Sequence, residues 1–98
     1  MMTTTILTDM ASKRDDQQYE IESVSKALIV LEALEGTAFE PVSQLRIQTR
    51  TGLNRNLVMR ILKTLALRGY AVQNARGEWS VGPRFVRIAE SVHRHKAV

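Results

Sequence analysis

The chain has no cysteine, which excludes disulfides, thiol catalysis and cysteine-bound zinc. Its longest apolar run, Ala27–Leu31, falls far short of the ~18 residues a membrane helix needs, so no membrane partner is expected. The N-terminus lacks the apolar block of a secretory signal, and a cytoplasmic protein is expected. Aromatics amount to one Trp, two Tyr and two Phe, too few for both a core and the exposed stacking platform that single-stranded RNA favours. Ser/His/Asp, paired-carboxylate and Gly-rich phosphate-loop patterns are all missing, which argues against an enzyme and against any cofactor. His93 and His95, two apart on an expected helix, point to different sides and cannot share a metal ion.

What is present fits one small domain. A chain of 98 residues with 44% hydrophobic content can bury on the order of 60–65% of its unfolded surface. The net charge of +4 is unevenly spread. Residues 1–22 hold two basic against five acidic side chains, a net −3, whereas residues 23–98 hold twelve against five, a net +7. The expected folded part is therefore strongly basic, which favours a polyanionic partner.

Residues 1–19 are polar and without apolar period, and are expected to be a flexible arm. Glu20–Glu35 is expected to be a first helix, capped by Ser23 or Ser25, with Val24, Ala27, Leu28, Leu31 and Leu34 as its core stripe and Gly36 as its stop. Ile29 and Ala33 fall on another face and suggest a helix-to-helix dimer contact. Thr37–Val42 reads as an extended link because of Pro41. Ser43 caps a second helix over about Gln44–Arg50, with Ile47 and, more weakly, Leu45 facing inward.

Gly52–Gly69 reads as a third helix, started by Asn54 and stopped by Gly69. At about 100° per residue, Leu57, Val58, Ile61, Leu62 and Leu65 share one face. Arg55, Asn56, Met59, Arg60 and Lys63 share the other, and no acid occurs from Leu53 to Arg68. Alone, such a face fits either a solvated surface or a major-groove reading helix.

Beyond Gly69 the period changes. Tyr70 and Val72 alternate with Ala71 and Gln73, Asn74–Gly77 is rich in turn formers, and Trp79 and Val81 alternate with Glu78 and Ser80. This predicts a β-hairpin with Arg76 at its tip and with Tyr70 and Trp79 packing on the core. Pro83 opens a last helix whose stripe is Phe85, Ile88, Ala89 and Val92, with Val86 off it. The order helix, helix, basic helix, hairpin predicts a mainly α winged helix-turn-helix. Residues 20–82 would form the domain and 83–98 a C-terminal linker helix.

Residues from about Glu22 to Ala89 resemble the N-terminal DNA-binding domain of IclR-type transcriptional regulators. The resemblance is carried by SVSKALIVLEAL, by TGLNRNLVMRILKTLALRGY and by EWSVGPRF. It implies transcriptional regulation through double-stranded DNA. Asn54 stands where that family commonly has Pro, Gln48 where it packs a small Ala, and Asn56 and Leu57 where it has small hydroxyl residues. The family usually continues into a GAF-like effector domain, whereas this sequence stops at Val98, so ligand sensing is not carried over.

Chemistry then assigns candidate roles. Arg55 and Asn56 can pair bidentately with guanine and adenine, and Met59 can meet a thymine methyl. Arg60, Lys63 and the wing residue Arg76 are candidates for the DNA backbone, Arg60 partly because the family often has a basic residue there. Ser43 and Gln44, at the start of the second helix, are further backbone candidates. Arg50 is a weaker one, and Arg46 and Arg68 read as solvated charges. A homodimer through the first and last helices is expected. The rival reading is a winged-helix protein-interaction module that binds no DNA.

Overall fold

The computed structural model describes the backbone of residues 19–97 and the side chains of residues 19–92. The expected arm up to Gln18 lies outside the described residues, and so do the side chains of His93 and His95. Among the described residues, four helices and a two-stranded antiparallel hairpin follow in the order α1 (Glu22–Glu32), α2 (Gln44–Thr51), α3 (Arg55–Leu67), β1 (Ala71–Gln73), β2 (Trp79–Val81) and α4 (Pro83–Ala97). This is a winged helix-turn-helix.

Helix α3 is the hub, packed against α1, α2 and β1. Its inner face supplies Val58, Ile61 and Leu62 to the core, with Leu57 and Leu65 partly buried beside them. Val30 and Leu34 from the α1 side, Ile47 from α2, and Ala71 and Trp79 from the hairpin complete the cluster. Both ends of α3 are closed as expected. The Asn54 side chain accepts from the Leu57 N–H at 2.9 Å. At the far end Gly69 takes φ +83°. There the Gly69 N–H reaches Ala66 O and the Tyr70 N–H reaches Leu65 O, the paired closure of a Schellman cap.

Helix α1 differs from expectation. Neither Ser23 nor Ser25 caps it; Ile21 holds the N-cap position with no side-chain bond. The helix ends at Glu32, and Gly36 lies in the turns that follow. Its core-facing line runs through the buried Val30 and Leu34 and the partly buried Ala27 and Leu31, while Val24 and Leu28 are about half exposed. The run Ala27–Leu31 is apolar all round, so periodicity alone allowed neighbouring stripes; docking on α3 kept Ala27, Leu31 and Leu34 of the expected stripe and took Val30 in place of Val24 and Leu28. Ile29 is exposed as expected, but Ala33 packs against the core. Leu45 on α2 is also exposed, leaving Ile47 as the inward residue.

The hairpin register pairs Ala71 with Val81 and Gln73 with Trp79. Cross-strand partners share a face, so with Trp79 and Val81 inward it is Ala71, not Val72, that faces the core. The expected alternation was right on β2 and inverted on β1, because Tyr70 is taken up by the helix cap and the strand starts one residue later. The link before α2 contributes as well: Val42 and Trp79 exchange backbone bonds of 2.9 and 2.7 Å, an isolated bridge that adds a short third rung to the wing.

Helix α4 departs most. Phe85, Val86, Ile88 and Val92 all remain about half exposed. Phe85, Val86 and Ala89 face α1 across an open groove of about 900 Å³, whose opposite wall is Leu28 and Leu31. Val86, expected off the apolar stripe, is thus part of the groove, whereas Ile88 and Val92 do not line it.

Candidate nucleic-acid interface

The turn between α2 and α3 is set by local chemistry. Gly52 adopts φ +73°, a left-handed conformation that favours glycine, and its N–H closes α2 on Gln48 O. Thr51 Oγ1 donates to Ile47 O at 2.8 Å and accepts from the Leu53 N–H at 3.2 Å, holding the chain as it leaves α2. Asn54 then starts α3 within two residues of Gly52. The result is a tight helix-turn-helix with the first turn of α3 at the surface.

On that surface Arg55, Asn56, Arg60 and Lys63 are exposed, and Met59 is half-buried between them and the core face. None of the four forms an ion pair with a described residue; the salt bridge among the described residues joins Lys26 to Glu22 on α1. No acidic residue occurs between Glu40 and Glu78, so the helix-turn-helix carries cations alone. Such a face has an unopposed positive potential and side chains free to take partners from outside.

Ser43 and Gln44 sit at the start of α2, as expected, but their side chains are engaged. Ser43 Oγ accepts from the Arg46 N–H at 3.2 Å. Gln44 Nε2 donates to Gln48 Oε1 at 3.2 Å and to Arg55 O at 3.1 Å. Arg50, the weaker phosphate candidate, donates from Nη1 to Ala33 O at 2.8 Å and so fastens α2 to the chain leaving α1.

The wing tip is built around Asn74. Its Oδ1 accepts from the Arg76 and Glu78 N–H groups, both at 2.9 Å, and its Nδ2 donates to Glu78 Oε1 at 3.1 Å. Gly77 completes the turn at φ +82°. Arg76 is held by its backbone while its side chain is exposed. At the other end of the hairpin, buried Thr37 donates its hydroxyl to Leu34 O and accepts from the Val81 N–H at 3.0 Å, tying the end of the α1 region to β2. Sequence reasoning missed both organisers. Asn74 was signalled by its turn-forming neighbours, but nothing local marked Thr37, whose partner lies 44 residues away.

With this geometry in place, comparison with known proteins identifies the family. The IclR helix-turn-helix domain profile matches residues 23–75, more than half of the chain. The chain belongs to the IclR helix-turn-helix family. Solved structures of similar fold include HmgR of Pseudomonas aeruginosa, 26% identical over 72% of this chain with a TM-score of 0.65. An IclR-family transcriptional regulator from Brucella abortus is 23% identical over 83%, with a TM-score of 0.67. A regulator of the same family from Alicyclobacillus acidocaldarius is 24% identical over 76%, also at 0.67. The match takes in 29%, 31% and 30% of those three chains, so this chain spans less than a third of their length. No curated protein matches by sequence. The chain thus carries the DNA-binding type of domain found in this class of transcriptional regulator.

Proposed function

We propose that this IclR-type domain binds double-stranded DNA sequence-specifically and regulates transcription, with α3 in the major groove and the β1–β2 wing on the flanking backbone. The observation that carries this reading is the exposed face of Arg55, Asn56, Arg60 and Lys63, which meets no acid among the described residues. Arg55 and Asn56 lie in the first turn of α3, where a groove-entering helix reads base edges. Met59, half-buried one turn on, offers a thymine methyl an apolar contact. Arg60, Lys63 and Arg76 hold phosphates. Ser43 and Gln44 bring the free N–H groups of the first turn of α2 to a further phosphate, Gln44 through its main chain.

A homodimer through α1 and α4 is part of the proposal. The half-exposed Val24 and Leu28 of α1 and Phe85 and Val86 of α4 supply its apolar surface. Two copies would read half-sites about one helical turn, ~34 Å, apart. No described helix is long and apolar enough to cross a membrane, in keeping with a cytoplasmic regulator.

Selection of bound duplexes from a random pool tests this reading and is expected to return a palindrome. Fluorescence anisotropy on the selected site then divides the face. Arg60→Ala weakens all sequences alike, whereas Arg55→Ala and Asn56→Ala lose about 1–3 kcal/mol of discrimination at particular base pairs. Absence of duplex binding at low salt would favour the rival reading, a winged-helix module that uses the apolar groove to hold a protein.

A further inference from the structure

We propose that the Gln44 side chain is a positioning residue for base recognition: it fixes where Arg55 enters the groove and does not itself bind phosphate. The proposal rests on the DNA-reading role of α3 and names a residue that determines its specificity.

A carboxamide nitrogen has two N–H donors. In Gln44 one goes to Gln48 Oε1 at 3.2 Å and the other to Arg55 O at 3.1 Å. The amide's other polar atom is Oε1, an acceptor, which repels a phosphate oxygen. A phosphate contact through this side chain would therefore have to break a bond the protein already makes. The bond to Arg55 O is, among the described residues, the side-chain hydrogen bond that joins α2 directly to α3. These helices also meet at the apolar core, where Ile47, Val58 and Leu62 belong to one buried cluster. Apolar packing is non-directional and tolerates small slides and rotations. A hydrogen bond weakens steeply when its angle closes, so it selects one register. Gln48, one turn on, holds the Gln44 amide in the orientation that reaches across.

The acceptor's place matters. Arg55 is the first residue of α3, and its side chain is the first of the proposed base readers. Bidentate pairing with a base edge demands placement within about 0.5 Å. A bridge at the backbone of Arg55 acts where such an error would be felt.

The test uses the whole chain and Gln44→Met, which keeps the side-chain length and removes the donors. In free protein the backbone carbonyl ¹³C shift of Arg55 is expected to change while the thermal midpoint hardly moves. On DNA, discrimination at the base pair read by Arg55 is expected to fall about fivefold or more. The slope of log K against log salt stays that of the wild type. Combining Gln44→Met with Arg55→Ala should cost no further discrimination, because both act on one contact. A uniform loss across sequences, with discrimination at the Arg55 base pair unchanged, would make Gln44 a phosphate ligand and overturn the proposal. Unchanged discrimination would overturn it as well. A wild-type protein with no sequence preference would instead remove the DNA-reading role, and the Arg55 carbonyl shift would still report whether the bridge exists.

Discussion

A single added carbon at Gly82 has nowhere to go. A Cβ built there would overlap Gly69 O and come within 2.8 Å of Ala71 N and Tyr70 C, all backbone atoms that cannot step aside cheaply. Gly82→Ala is expected to lower stability by about 2–3 kcal/mol, read as a fall in the urea midpoint. Thr37 is a second residue of this kind, since its one hydroxyl serves Leu34 O and the Val81 N–H. Thr37→Val keeps the shape but strands that N–H, and should cost about 1–3 kcal/mol, while Thr37→Ser should restore most of it. The caps at Ser43 and Asn54 were legible in the sequence because a capping side chain and its partner lie three residues apart. Thr37 and Gln44 were not legible in this way. Their partners are 44 and 11 residues away, and only the packed fold brings them within reach.

Among the elements, the wing shows most clearly how the backbone presents a charge. Asn74 ties down the N–H groups on either side of Gly77, so Arg76 is offered on a turn with few other conformations. Asn74→Ala should speed amide hydrogen exchange at Arg76 and Glu78. If Arg76 meets a phosphate, the same variant should lower affinity by loosening that contact, and Arg76→Ala should reduce the salt slope by about one. α3 was the most legible element, because its apolar residues form one unambiguous stripe between two strong caps. α1 was the least. Its five consecutive apolar residues, Ala27–Leu31, suit several faces, and the choice was made by α3. The inverted phase of β1 has a similar origin. A three-residue strand carries little pattern of its own, and its inward face follows from the partner that holds Trp79.

At the scale of the whole molecule, Leu28 of α1 and Phe85 and Val86 of α4, all left partly uncovered by the domain, line one groove. Placing a carboxylate in both walls, with Leu28→Asp and Val86→Asp, is expected to shift sedimentation from dimer to monomer. It should weaken binding to a palindromic duplex far more than to a half-site, while the fold stays intact because neither residue is in the buried core. Winged-helix architecture was readable from element order alone. The open groove was not, since a stripe on α4 looks the same whether it is covered by its own domain or left for another surface.

The close approach at Gly82 has a mechanical side. The Gly82 N–H bonds to Tyr70 O at 2.9 Å and the Arg84 N–H to Gly69 O at 3.0 Å, so the root of α4 is clamped onto the end of α3. α4 has 15 residues, a rod of about 22 Å at 1.5 Å per residue. Tilting such a rod by about 10° at its clamp swings its tip by about 4 Å, a large travel for a small hinge error. The same lever works in reverse. A force applied at the far end of α4 arrives at Gly69 as torque on the helix that carries Arg55.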